Sequence, residues 1–252
     1  MRQKLHAEWT KLRTVAGTGW LLLALITLTV AVNATAAASL TCPWGRCNQD
    51  AVKLALTGIQ LGQAVVAILA VLAISNEYST GMIGTTLAAM PHRAAVLAAK
   101  AAILTGLTLP AGTIAVLASV LAGRLILPAH GYPPLSLADG PTLRAAAGSV
   151  LYLALIALLS LGIATAVRDS AVAIGVVLGL LYLFPIIILM TSDPDWQRLL
   201  WKLSPMNAGL AIQATTNLSR LPLSPWAGLG ALAAWAAAAL LGGGLLLRLR
   251  DA

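Results

Sequence analysis

Residues 171–190 read AVAIGVVLGLLYLFPIIILM, twenty consecutive positions without an Asp, Glu, Lys or Arg. A helix of that length rises about 30 Å, the thickness of a bilayer's hydrocarbon core. Lipid offers the backbone no hydrogen-bond partners, so an unbroken apolar run of this length is a spanning helix and not a barrel strand. Working outward, five more uncharged runs of similar length appear: Gly17 to Leu40, Leu54 to Ile74, Ala101 to Gly123, Ala145 to Val167 and Trp226 to Leu247. The expected fold is an all-α integral membrane protein, one transmembrane domain over residues 1–252 with six spans. A hydrophobic content of 59%, only 10% charged residues and a mean hydropathy of +0.88 exclude an ordinary soluble domain.

The missing intramembrane charges narrow the function. Ion-coupled transporters, proton relays and voltage sensors need ionisable groups within their spans. The net charge of +8 does not indicate nucleic acid, because the basic residues sit between spans and at the termini, without clustering or aromatic interleaving. Anionic lipid and an acidic cytosolic partner account for them better. With both termini inside, nine of the 16 Lys and Arg residues face the cytosol and seven face out. That bias follows the positive-inside rule.

The connecting segments carry structure of their own. In residues 1–16, Leu5, Trp9, Leu12 and Ala16 form one helical stripe opposite Lys4, Glu8, Lys11 and Arg13, the pattern of an interfacial helix. The first outer loop holds Cys42-Pro43-Trp44-Gly45-Arg46-Cys47, a tight turn that brings two thiols within disulfide range, and a Cys42–Cys47 bridge is expected. No metal site is expected there, since His6 and His92 belong to the opposite side. The outer segment from 191 to 225 contains Asp193-Pro194 and Ser204-Pro205, two cap-plus-proline helix starts. Two short outer helices are expected over 193–217, as a re-entrant pair or outer lid. Their apolar faces should point toward the bundle or lipid, with Trp196, Leu199, Leu200 and Leu203 largely buried; the alternative is a pair of interfacial helices resting on the lipid. Within the spans, Gln60 and Gln63 lie one turn apart and are candidates to line a pathway; Asn33, Thr27, Thr105, Thr108, Ser119, Tyr152 and Ser160 are expected to join helices.

The loop after the second span is the richest: Glu77-Tyr78-Ser79-Thr80-Gly81-Met82-Ile83-Gly84-Thr85-Thr86-Leu87-Ala88-Ala89-Met90-Pro91-His92-Arg93. Ser79 or Thr80 can cap a helix that Pro91 ends. Met82, Ile83, Thr86, Leu87 and Met90 would share one face, giving a short surface helix shaped to dock a partner. Motifs for chemistry are missing. None of the five lysines follows a glycine, so there is no P-loop, and neither Gly-x-Ser-x-Gly nor His-Glu-x-x-His occurs. No catalytic residue is expected in this chain.

The N-terminal Ala7-Glu8-Trp9-Thr10-Lys11-Leu12-Arg13-Thr14, the Glu77-Tyr78-Ser79-Thr80-Gly81-Met82-Ile83 loop, Pro91-His92-Arg93 and Lys100 resemble the membrane subunits of type-2 ABC exporters, bacterial permeases encoded apart from their ATPase. The resemblance implies that residues 77–90 are a coupling helix seated in an ATPase groove. Glu77, Tyr78, Ser79, Thr80, Gly81, Met82, Ile83, Leu87, Met90 and Arg93 would be the partner-binding set. It also implies the bacterial inner membrane, two copies of a cytosolic ATPase and a second permease copy or paralogue. ATP and Mg would be bound by that partner and no cofactor by this chain. Uncharged spans suit an amphiphilic cargo such as a drug, peptide or lipid. The alternative is a non-transport sensor or immunity subunit that receives a signal through the same loop helix.

Overall fold

The computed structural model describes residues 16–39, 49–79 and 93–250; the amphipathic stretch at the N-terminus, Cys42 and Cys47, and most of the expected coupling helix lie outside these residues. Among the described residues the chain is helical throughout, with no strand. Six helices are long and apolar enough to cross a membrane: α1 (Ala16–Ser39), α3 (Ile59–Ser79), α4 (Arg93–Ile126), α5 (Gly140–Val167), α6 (Ser170–Met190) and α9 (Pro225–Arg250). Short helices fill the connections: α2 (Ala51–Ala55), α7 (Pro194–Leu203) and α8 (Pro205–Leu210), with single 3-10 turns at Leu127–His130, Ala211–Gln213 and Leu218–Arg220.

Helix α5 is the hub. It packs against α3, α4, α6 and α9, and buries Tyr152, Leu153, Ile156, Leu159 and Leu161 completely. Its crossing with α9 is close because Gly162 has no side chain; a Cβ there would stand 2.4 Å from the main-chain carbon of Ala239. Lipid supplies no hydrophobic force between helices, so this backbone-to-backbone approach is where dispersion holds the pair together. Helix α1 packs on α3 and α4. The outward faces of α1, α6 and α9 stay apolar and uncovered, with Trp20, Leu189 and Leu241 each more than two-thirds exposed, as suits lipid.

Contacts at the two ends establish that the crossings alternate. Asp50, between α1 and α3, bonds Thr215 and Thr216, between α6 and α9. At the other end the Arg168 guanidinium, between α5 and α6, lies 5.6 Å from the ring centroid of Tyr78, beyond which the chain leads to α4. Odd connections meet odd, and even meet even, as six crossings require.

Polar residues in the spans are not used alike. Asn33 ties three elements: its Oδ1 accepts from Gly58 N at 2.5 Å, while its Nδ2 donates to Ser119 Oγ at 2.6 Å. Thr27, Thr105, Thr108 and Ser160 instead return their hydroxyls to their own helix four residues back, and so join nothing.

Several boundaries differ from the sequence reading. The second span starts at Ile59, after the separate turn α2, and runs on to Ser79, because nothing between Ile74 and Ser79 breaks a helix. Glu77, Tyr78 and Ser79 are therefore its last turn and not the opening of a separate helix. The third span starts at Arg93, a helix about 51 Å long at 1.5 Å per residue. Lys100 thus lies inside it, 4% exposed, with its Nζ donating to Ala73 O at 3.2 Å. The fourth span likewise begins early, at Gly140, taking in Arg144. The charge-free spans are correct for the helix middles but not for these helices as wholes.

Candidate functional site

Both cap-plus-proline signals operate as read. Asp193 accepts from the amides of Asp195 and Trp196 to start α7, and Ser204 Oγ accepts from Asn207 N to start α8. The two helices then part company. Trp196, Leu199 and Leu203 are 59%, 46% and 48% exposed and Leu200 is half-buried, so of the two directions expected for this stripe, bundle or lipid, it does not take the bundle. Helix α7 offers its apolar face to its surroundings.

Residues 204–214, in contrast, are buried at every position but Asn207. This segment packs between α5, α6 and α9. It fits because small residues face it. A Cβ on Gly228 of α9 would fall 2.1 Å from the carbonyl oxygen of Ala208, which main chain cannot yield. The helical part is shorter than the expected run to Asn217: after Leu210 comes one 3-10 turn, and Asn217 adopts a left-handed φ of 51° that turns the chain out.

Polar side chains grip the segment from tip to rim. At its start, Gln63 of α3 donates from Nε2 to Met206 Sδ at 3.2 Å, and Gln63 Oε1 accepts from the Tyr152 hydroxyl of α5. Buried amides and phenols stay in a core only when so paired. Further out, Gln213 Nε2 donates to Ser149 Oγ at 3.1 Å, and the Arg144 guanidinium donates to Ala214 O at 2.5 Å. At the rim, the Asp50 carboxylate accepts from the amides and hydroxyls of both Thr215 and Thr216, while also capping α2 through the amides of Val52 and Lys53. Partial burial alone would raise the Asp50 carboxyl. Hydrogen bonds from Thr215, Thr216 and Lys53 outweigh it and hold the group below the usual 3.8. Beside it lies a recess of about 430 Å³, lined by Gln49, Asp50, Lys53, Thr57, Thr216 and Asn217.

The two glutamines singled out by sequence separate here. Gln63 is fully buried against Met206; Gln60 is half-buried, and its main-chain carbonyl accepts from the Tyr182 hydroxyl of α6. At the other end of α3, Tyr78 meets Arg168, which closes α5 in a left-handed conformation with φ 68°. Of the expected partner-binding set, Glu77, Tyr78, Ser79 and Arg93 fall on the described helices, while Thr80, Gly81, Met82, Ile83, Leu87 and Met90 lie outside the described residues. Among the described residues no three His, Cys, Asp or Glu side chains come together as metal ligands.

Sequence reasoning missed Asp50, Arg144, Ser149, Tyr182 and Gln213. Asp50 carried a signal, an Asp directly before a short helical run, but that signal announces only the cap. Its partners 165 residues away carried none. No family model matches the chain, and no curated protein matches it at a significant level.

Proposed function

We propose that this chain is the membrane-spanning permease subunit of an ATP-driven type-2 ABC exporter, carrying an amphiphilic cargo and driven by a separate cytosolic ATPase. One observation carries the reading: a single helix, α3, touches both working ends. Its Gln63 holds the tip of the re-entrant segment. Fifteen residues later, about 22 Å along the axis, Tyr78 sits against Arg168 where the chain leaves for the docking loop. A push on that loop moves a rigid rod whose far part bears on the re-entrant segment. A floppy linker would dissipate the same push. The uncharged interior at that junction, built from Gln63, Tyr152, Met206 and Leu210, suits a greasy cargo better than an ion.

Energy has to arrive by contact, since the chain holds no P-loop. In this reading Met82, Ile83 and Leu87 fill an apolar groove on the ATPase, and Glu77 offers a carboxylate at the same junction. Changing Ile83 and Leu87 together to Asp should abolish co-purification of an ATPase from the native membrane, with insertion and yield of this chain unchanged. Retention of the ATPase by the double variant, or absence of any ATPase from the unaltered preparation, refutes the assignment.

A further inference from the structure

We propose that Asp50 is the latch of an outer stopper: residues 204–216 close one end of the bundle, and the Asp50 carboxylate fastens the rim at which they open. The geometry points to the rim as the place of release. Deeper in, the segment is held by buried pairs, Gln63 with Met206 and Gln213 with Ser149, where no water competes. At the rim, Thr216 is exposed and the 430 Å³ recess brings solvent beside the carboxylate. Water can therefore exchange for the Thr215 and Thr216 contacts one at a time, whereas breaking a buried pair leaves both partners unsatisfied.

The chain is also built to pivot there. Asn217 sits at φ 51°, a left-handed turn immediately after the gripped pair, and the residues after it, Leu218 and Ser219, are exposed. Asn tolerates this conformation better than most side chains. Once the rim is open, water entering behind it can satisfy Gln213 and Ser149 as they part, exposing a face of α5 that is fully covered in the closed form. An Asp suits the role because its carboxylate accepts at two oxygens from six donors, four of them on Thr215 and Thr216; an Asn of equal size keeps only one accepting oxygen.

The latch is a property of the bundle, and its use in export rests on the transport reading above. The test takes the full chain in proteoliposomes, with Cys42 and Cys47 changed to Ser and a single reporter cysteine, Ser149→Cys, under the stopper. A membrane-impermeant methanethiosulfonate should leave the reporter essentially unlabelled when Asp50 is present. With Asp50→Asn added, labelling should accelerate about tenfold or more, the effect on an opening equilibrium of losing one charge-assisted hydrogen bond. Lys53→Gln, which changes a side chain of the same recess without touching the clasp, should leave the rate unchanged. A second reporter, Ser160→Cys, buried deeper on α5, should stay protected in the Asp50→Asn background. Equal protection of Ser149→Cys with and without Asp50, or acceleration by Lys53→Gln, overturns the latch. Labelling of Ser160→Cys alongside Ser149→Cys overturns it too, since Asp50 would then support the whole fold. None of these outcomes bears on ATPase recruitment, whose failure would leave the latch standing.

Discussion

Helices α7 and α8 are neighbours with the same opening grammar, an oxygen-bearing cap followed by proline, yet one lies outside the bundle and the other inside it. Their compositions explain the difference. Helix α7, PDWQRLLWKL, carries Asp195, Arg198 and Lys202 along with its large apolar residues. Burying those charges would cost several kcal/mol each. It keeps both faces satisfied only at a boundary between apolar and aqueous surroundings. Helix α8, PMNAGL, has no charge; the main chain of Ala208 lies against Gly228, and Gly209 leaves room for the Tyr152 ring. An apolar stripe beside charges marks an interface; a short uncharged run with small residues marks insertion. The contrast also explains why protein does not cover Trp196, Leu199 and Leu203: of bundle and lipid, the stripe faces away from the bundle.

The comparison breaks most severely at Gly228. If α8 is seated by backbone proximity, Gly228→Val must drive a branched side chain into the Ala208 carbonyl. We expect a loss of about 3 kcal/mol or more, at the upper end of overpacking costs, seen as a lower thermal midpoint in detergent. Leu199→Ala on α7 should stay within about 0.5 kcal/mol of the parent, as surface substitutions do. Equal effects from the two would erase the distinction between seated and peripheral helices.

How much of this was legible follows the range of each interaction. The spans were readable because length and lack of charge are local properties, and both short helices were readable from the cap and proline at their starts. Their ends were harder. The second span ran on through Glu77 to Ser79, and the third started at Arg93, because boundaries were set by the nearest charge, whereas a helix continues past charges until a breaker stops it. Lys100 shows the consequence: it lies outside the charge-free span as read, but within the helix, where its long stem lets the ammonium reach Ala73 O. The grip on residues 204–216 was illegible. Gln63 stood out as polar in an apolar span, but its partners Tyr152 and Met206 are 89 and 143 residues away, and Asp50 meets Thr215 across 165. No sequence period encodes such meetings.

A smaller effect sharpens the comparison at the rim of the inserted segment. The folded state holds the Asp50 carboxyl below 3.8, so its clasp contributes stability above that value, and the contribution fades as pH falls through the lowered one. The other charged group lining the recess is Lys53 on α2; the facing side presents only Ala214, Thr216, Asn217 and Leu221. Asp50→Asn is the right reference, because the remaining carboxylates titrate alike in both proteins. The parent should melt higher than the variant by an amount constant from pH ~8 to ~5, worth roughly 1–2 kcal/mol for charge-assisted hydrogen bonds partly open to water. That gap should shrink steadily below pH ~4. A gap that persists unchanged at low pH, or widens there, would mean that the carboxylate charge does not hold the rim.

The smallest effect belongs to α7, and it concerns location more than stability. Among the exposed residues of its stripe, Trp196 is the largest, with a ring that suits the headgroup level, where an apolar body and a polar N–H can both be accommodated. Trp201, half-buried on the same helix, points elsewhere around the axis. Because Trp196 leaves the protein, Trp196→Ala should change the thermal midpoint in detergent by less than about 0.5 kcal/mol. In vesicles, however, the intrinsic fluorescence of the parent should contain a component quenched by lipids brominated near the headgroup, weaker with lipids brominated at the chain ends, and this component should vanish in Trp196→Ala. The same substitution moves no bond of the inserted segment, so Asp50-dependent protection of Ser149→Cys should be untouched. Quenching strongest at the chain ends would place α7 deep in the hydrocarbon, where Asp195 and Arg198, facing each other at 4.0 Å on the exposed side, have no water to solvate them. In that event charge would not separate the two helices, and the different fates of α7 and α8 would need another cause.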